Sequence, residues 1–534
     1  MSSSSSSSSD SSPSSSDETP ESPTASRSAD DTSSSSNNNN PTGSKSKVGP
    51  VTFNLIKAIA GSGVLALPSG LAAMSDTTTS LVPAMTLMTI LGLLSAYTFS
   101  LYGRLTHISQ AHSLGELWEI KKDKSTAWVV SVAALTFCFG ACLSYTILLG
   151  DVASALSQTL LHGSGGGSGG ATVAGLAAAT AGIWTSRQFW ILVLTGTVLY
   201  PLCRLKSLLA LAPLSLAGVG AVLITSLFIA ARCPTVNPSS PYLLGCGSKL
   251  LRSLSKSQLP LFNTYNKGLT SPSSLVILGM AASAYLGHFT APEFYHSVKR
   301  DIDSSAMTKN EEDEEDDNND DDDDSVVPNQ QALDDFNKVT VGGFLTVTII
   351  NCLILACGWL TFGGHSKGVI LNNYSTLDIG ATICRFLTGV SVVGGFPFLM
   401  SACRGELLEL WKLRTGHEPT RSDEKKTTKI LLLILSLASM VISNAGFVIG
   451  LIGSLMGSSI VYIFPSLQFL SYTDKLLMGG SDSSKSNNQS KPKRVRVLRF
   501  ERMFCRFLVL FGVLAAAAGG SASVINNFFP QMLQ

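Results

Sequence analysis

Charge is what this sequence has least of. Only 14% of its 534 residues are Asp, Glu, Lys or Arg, against roughly 25% in soluble globular proteins. Hydrophobic residues reach 45%, and mean hydropathy is positive at +0.28. Thirty-eight basic residues nearly cancel 37 acidic ones, leaving +1, so there is no excess positive charge for a polyanion and no nucleic-acid partner is expected. Neither a Walker-type Gly-Lys-Ser loop nor His-Glu-x-x-His is present, and the seven histidines include no metal-like cluster. The Gly-rich stretch 163–170 reads as a Gly/Ser linker, without the strand–helix context of a phosphate loop. An enzyme is therefore the weaker class, with no metal or cofactor called for. Much of the charge that exists is crowded into residues 1–47 and 299–338. The remainder cannot cover a soluble surface, and the fold class is an all-α polytopic membrane protein surrounded by lipid.

Residues 1–47 are mostly Ser, Asn, Asp, Thr and Pro. Without an apolar cluster they cannot offset their ordering entropy, and a disordered, Ser-rich cytosolic tail is expected. Its serines are candidate phosphorylation sites or merely solvated. The tail lacks the basic and apolar regions of a cleaved signal peptide. From Val51 onward, apolar stretches near the ~20 residues needed to cross a bilayer recur. Spans are expected at 51–74, 80–103, 126–149, 188–204, 206–231, 273–297, 337–362, 379–403, 429–447, 449–471 and 504–526. That makes eleven, within a transmembrane domain of 48–534. The fourth is short, and the apolar stretch 171–184 competes with it.

Orientation follows from the basic residues. With the N-terminus cytosolic, cytosolic segments hold 29 of the 38 Lys and Arg, and outer segments hold 7. Shifting the count by one span would reverse this asymmetry. The outer loop 232–272 then carries Cys233 and Cys246 on an oxidising side, where a disulfide can persist. Asn373-Tyr374-Ser375 is a glycosylation sequon in another outer loop; Asn488-Gln489-Ser490 is expected to be cytosolic and unused. The cytosolic loop 301–335 contains the run Glu311 to Asp324, in which 12 of 14 residues are acidic. Like charges at that density repel, and a disordered linker without EF-hand ligand spacing is expected.

Two spans are interrupted. The first carries Gly61-Ser62-Gly63 near its middle and Pro68 beyond; the sixth carries Gly287-His288-Phe289-Thr290-Ala291-Pro292. Glycine with proline frees backbone donors and acceptors, which lipid tolerates only where they line a cavity or meet protein. A half-helix N-terminus attracts a carboxylate and a C-terminus a cation, so the pair suits a zwitterion. Breaks at corresponding positions, first and sixth, are what a five-plus-five inverted repeat predicts for its substrate site. The competing reading is close helix packing through glycine.

These residues resemble the amino acid/auxin permease family. The first span, Asn54-Leu55-x-Lys57 followed by Gly61-Ser62-Gly63-Val64-Leu65-Ala66-Leu67-Pro68, looks like that family's first helix. The sixth is similar through Gly287-His288, Pro292, Tyr295 and Lys299, and the seventh through Gly358-Trp359-Leu360-Thr361-Phe362-Gly363. Phe396-Pro397 and Arg404 in the eighth match as well, as do Gly450-Leu451-Ile452-Gly453-Ser454 and Pro465 in the tenth. The ordered set runs from about residue 48 to 526. It implies eleven spans, the leucine-transporter-type fold and amino acid transport.

Sodium-coupled members of that family place Asn where Lys57 stands and Thr where Gly395 stands, two contributors to a cation site between the first and eighth helices. The resemblance therefore implies that the Lys57 ammonium replaces the ion and that transport is proton-coupled or uncoupled. Snorkelling to the interface is the other reading of Lys57. His288, with an unperturbed pKa of about 6.5, is either the proton-coupling group or a hydrogen-bonded structural residue. Arg385, Glu293 and Asp378 read as snorkelling or capping groups.

The expected site is formed by Gly61, Ser62 and Gly63 for the substrate carboxylate, and by Gly287, His288, Thr290 and Ala291 for its ammonium. Lys57, His288 and Gly395 are the coupling candidates. The expected activity is secondary active amino acid transport. A sensor of the same fold or, less favoured, a channel are the alternatives. The membrane is the plasma membrane or that of a vacuole or lysosome.

Overall fold

The computed structural model describes residues 48–122, 124–163, 182–204, 212–262, 272–313, 327–479 and 491–529. The tail 1–47, the centre of the acidic run, most of the Gly/Ser linker and the sequon at Asn488 lie outside the described residues. Among the described residues every regular element is helical, apart from an isolated bridge between Leu261 and Gly363.

The first span is two helices, α1 (Val48–Ile59) and α2 (Leu67–Met74), joined through a single extended residue at Gly61 and a 3-10 turn, Ser62–Ala66. The halves are bent by 48°. Pro68 lies in the first turn of α2, where a missing N–H leaves no bond unmade. Next come α3 (Leu81–Ser109), α4 (Leu114–Lys121), α5 (Ala127–Gly163), α6 (Arg187–Leu194) and α7 (Ala212–Arg232). The sixth span is again split, into α8 (Val276–Ala284) and α9 (Ala291–Asp313), with a 3-10 turn at His288–Thr290. Then follow α10 (Val327–Phe362), α11 (Ile379–Thr415), α12 (Arg421–Val441), α13 (Ala445–Ile452), α14 (Phe464–Gly479) and α15 (Lys491–Phe528). Two π-turns, Gly453–Gly457 and Ser459–Ile463, link α13 to α14.

Six helices among the described residues are long and apolar enough to cross a bilayer, or seven if α1 and α2 count as one span. The sequence predicts eleven. The difference lies in segments that are helical but poor in uninterrupted apolar length. α6 has 8 residues before a π-turn, and the sixth span is broken. The apolar part of α7 is Leu216–Arg232, and the first turns of α12 carry Arg421, Asp423, Glu424, Lys425 and Lys426.

Packing sorts the helices into two groups that meet at the site. α10 lies against α1 and α3, whereas α11 lies against α5 and α7, and α7 bridges the two by also packing on α10. Glycine decides the closest approaches. A Cβ on Gly279 in α8 would overlap the Ser454 hydroxyl, and one on Gly453 would overlap the Gly279 carbonyl. Small residues let helix backbones touch where lipid supplies no hydrophobic drive to associate. Ser283 fastens the same seam by donating to the Ile449 carbonyl at 2.9 Å.

Three sequence expectations about this scaffold change. Cys233 and Cys246 are not paired. Cys246 is exposed and its thiol donates to the Pro241 carbonyl at 3.3 Å, whereas Cys233 is fully buried. Asn373 is also fully buried, with Oδ1 accepting from the Lys367 N–H and Nδ2 donating to the His365 carbonyl, both at 2.8 Å. Its amide braces a loop, and no room is left for a glycan. Arg385 does not snorkel. It is 2% exposed and donates to the Leu371, Tyr374 and Ser375 carbonyls, closing the turn before α11. Asp378, by contrast, is the cap of α11 that its position suggests. It accepts from the Gly380 and Ala381 N–H groups and pairs with Arg232 at 2.9 Å.

Candidate functional site

The two helix breaks face each other. A Cβ on Gly63 would stand 3.6 Å from the Ala284 backbone, and one on Gly287 would stand 2.7 Å from Ile59 Cγ1. The first turn of any helix leaves N–H groups without intrahelical partners, and the last turn leaves carbonyls. Here the start of the Ser62–Ala66 turn and the end of α8 bring both kinds together.

Between them lies a cavity of about 70 Å³, lined by Gly61, Gly63, Ser144, Tyr145, Ser283 and Phe289 among others. A second cavity of about 30 Å³ adjoins it, lined by Lys57, Gly61, Tyr145, Thr225, Thr388 and Ser391. Gly61 and Tyr145 border both. The Tyr145 hydroxyl is 3.2 Å from where a Cβ on Gly61 would stand, so any larger residue there would press on that hydroxyl.

Lys57 does not turn toward the nearer interface. Its ammonium donates to the Ser391 hydroxyl in α11 at 2.9 Å, and a Cβ on Gly218 in α7 would overlap it. The amine thus sits where α1, α7 and α11 converge. Ser391 in turn donates to the Gly218 carbonyl at 3.4 Å. Gly395, one turn along α11, faces the Tyr145 ring, 3.4 Å from its would-be Cβ. The eighth-span partner of Lys57 is therefore Ser391.

His288 points away from both cavities. Its Nε2 lies 3.0 Å from the Ser95 carbonyl and 3.0 Å from the Thr98 hydroxyl, both in α3. A carbonyl only accepts, so Nε2 carries the proton, and Nδ1 is buried without a partner. Phe99 and Phe344 flank the ring, with centroids at 5.6 and 5.8 Å. Thr290 donates to the Gly287 carbonyl at 2.6 Å, which closes the turn on itself. Gly287, His288, Thr290 and Ala291 do not line the central cavity; the sixth span contributes Ser283, Leu286 and Phe289. Of the expected binding residues, Gly61 and Gly63 border the cavity, and of Ser62 only the backbone turn is described.

Sequence reasoning missed Tyr145, Ser283 and Ser391. Tyr145 and Ser283 occur in apolar stretches without a motif, and only the fold brings them to the breaks. Ser391 lies in the expected eighth span, 334 positions from Lys57.

A larger cavity of about 620 Å³ opens at the end of the bundle that carries Asp76, Asp151 and Lys367. Met280 and Ser69 line it. Met280 lies three residues before Ser283 on α8, about one helical turn from the central cavity at ~1.5 Å per residue. Asp151 is held there by Arg187 at 2.9 Å and by the Asn372 amide at 3.0 Å.

Comparison with known proteins identifies the family. Residues 44–310 and 326–486 match the family described as transmembrane amino acid transporter protein. A Danio rerio protein named "Putative sodium-coupled neutral amino acid transporter 11" is 22% identical over 433 residues, covering 81% of each chain. The Mus musculus protein of that name is 20% identical over 437 residues, covering 81% of this chain and 80% of its own. Among solved structures, MhsT in complex with L-phenylalanine aligns at a TM-score of 0.44 and 13% identity, covering 88% of this chain and 99% of that one. With its family match running through both broken helices, the chain belongs to the transmembrane amino acid transporter family.

Proposed function

We propose that this protein is a secondary active transporter that moves amino acids by alternating access and is proton-coupled or uncoupled, not sodium-coupled. The observation that carries the transport reading is the meeting of the two breaks around a small cavity. The substrate carboxylate meets the N–H groups at Ser62 and Gly63, where the helix dipole favours an anion, and Gly61, whose own N–H is taken by the Ile59 carbonyl at 2.8 Å, leaves the space for it. The Tyr145 hydroxyl stands beside them. The substrate ammonium meets carbonyls at the end of α8 and the Ser283 hydroxyl. The cavity between α1, α8 and the helices of the α5–α11 group is the place where rocking of one group against the other exposes the site first to one side and then to the other.

The coupling reading rests on Lys57. Its ammonium, bonded to Ser391 and pressed on Gly218, supplies a fixed positive charge at the junction of the first, fifth and eighth spans. A mobile cation at that point would meet direct repulsion. The names of the relatives bring neutral amino acids as the substrate class and sodium as the competing coupling ion. Lys57 is the observation against sodium. Because His288 is sequestered by α3, Lys57 is the stronger of the two proton-coupling candidates.

The distribution of basic residues sets the orientation we propose: N-terminus in the cytosol, with the 620 Å³ cavity facing the outside of the cell or the lumen of a vacuole or lysosome. Uptake of labelled amino acids by proteoliposomes, with sodium and pH gradients imposed separately, tests the whole reading. Concentrative uptake that requires a sodium gradient at fixed pH overturns the coupling part. Saturable binding without any flux overturns transport in favour of a sensor.

A further inference from the structure

α15 has two different faces at the end where its apolar span begins. The inward face is neutralised pair by pair. Glu501 accepts from Arg104 at 2.6 Å and from the Tyr97 hydroxyl at 3.2 Å, and Arg502 is paired with Asp474. The outward face carries Arg496, Arg499 and Arg506, all exposed. None of these three is in an ion pair among the described residues. No acidic residue occurs between Asp482 and Glu501, whereas Lys491, Lys493 and Arg494 lead into the helix.

Steps of three and four residues put the arginines on one stripe with Phe500, Met503, Phe507, Leu510 and Leu514, and every one of these apolar side chains is exposed. Leu510 and Leu514 lie within the span, where an apolar face that no other helix covers meets lipid tails. The same stripe, followed toward the N-terminal end of α15, therefore leads out of the hydrocarbon and into the headgroups.

We propose that the face bearing Arg496, Arg499 and Arg506 binds the headgroup of a phosphatidylinositol lipid whose ring carries phosphates. Depth argues for this occupant. Arg506 lies at the edge of the span, where its stem can follow apolar surface while the guanidinium reaches a glycerol phosphate. Arg499 and Arg496 stand about 10 and 15 Å farther out along the axis, at ~1.5 Å per residue. The headgroup layer adds only about 5–8 Å on each side of the hydrocarbon core. The phosphate of an ordinary phospholipid is thus within reach of Arg506 alone, whereas phosphates on an inositol ring stand far enough out to meet the other two. A planar guanidinium fork suits them through paired hydrogen bonds. With the three basic residues before it, the stripe also has the charge that draws a segment beside a span to anionic lipid. The proposal rests on the membrane reading of α15 and on its N-terminal end being cytosolic, the side on which such lipids lie.

The test measures lipid binding by the full chain in detergent, with fluorescent dioctanoyl phosphatidylinositol bisphosphate as the probe. Saturable binding that weakens with added salt is expected. The variant Arg496→Ala/Arg499→Ala/Arg506→Ala should bind about 100-fold more weakly at an unchanged melting temperature, from about fivefold per basic residue removed. Arg499→Ala alone, expected to be about fivefold weaker, keeps the test readable if the triple variant folds poorly. Binding by folded variants equal to that of wild type overturns the proposal. Equal competition by dioctanoyl phosphatidylserine overturns the ring-phosphate assignment, and equal competition by a free inositol phosphate overturns the lipid as occupant. Binding that emerges only when Glu311–Asp324 is deleted means that the chain's own acidic run takes this face, which also overturns it. The readout involves neither flux nor the side of the membrane, so failure here and failure of the transport reading are separate results.

Discussion

The two helix breaks are alike in backbone and opposite in what their polar side chains do. At the first, Gly61 and Gly63 leave space, and Lys57, one turn earlier, reaches out to α7 and α11. At the sixth, Gly287 is filled by Ile59, and His288 is turned into α3 and bonded to Ser95 and Thr98. One break offers its polar group to the helices across the cavity; the other fastens its own to a neighbour on the same side. The first break thus leaves space and a charged group beside the cavities, whereas the sixth fixes its histidine against a neighbouring helix.

The comparison can be broken by substitution. Gly61→Val carries the largest expected effect. Its side chain would enter the space beside the Tyr145 hydroxyl, and uptake should fall about 100-fold, the scale of loss when a bound group is displaced by ~1 Å. Thermal melting in detergent should change little, and a lowered melting temperature with uptake preserved per folded molecule refutes the assignment. Lys57→Ala is next. Removing a hydrogen-bonded charged group costs about 1.5–3 kcal/mol, or roughly 10–100-fold in uptake at 1.4 kcal/mol per decade. The pH dependence of uptake should flatten without sodium dependence appearing, which gradient-resolved flux would reveal. His288→Gln should have the smallest effect on function. Losing its bonds to α3 is expected to cost about 1–3 kcal/mol of stability, seen as a lower melting temperature, while the pH profile of uptake superimposes on wild type. A shifted profile would return His288 to the proton route.

What was legible in the sequence is what short stretches of chain determine. The breaks at Gly61 and Gly287 and the cap at Asp378 follow from local residue chemistry, and each stands where the sequence places it. Lys57 was legible as a charge that an apolar span must account for. Its partner was not, because Ser391 is one hydroxyl among many until α11 is laid beside α1. His288 shows the converse failure. Position on a broken span suggested a binding role, yet rotation of a single turn sends the ring toward α3. The Asn373 sequon and the Cys233–Cys246 spacing misled for the same reason: both patterns are local, while burial and thiol proximity depend on which distant segments pack above them. Of the two readings of Arg385, snorkelling and capping, the fold takes the second: the side chain is folded back onto three carbonyls.

The bond between Lys57 and Ser391 bears on how far such a carrier can concentrate its substrate. A sodium ion that rides with each amino acid links uphill movement to the ion's own gradient and makes every cycle electrogenic. An ammonium fixed to α1 stays behind when the substrate leaves, so a zwitterion crosses with no net charge. Such a carrier brings the two sides only to equal concentration, unless the amine gives up its proton on one side and regains it on the other. On the coupling proposed above, the accumulation ratio at steady state, measured with and without a pH gradient, reads out what one lysine does with one proton.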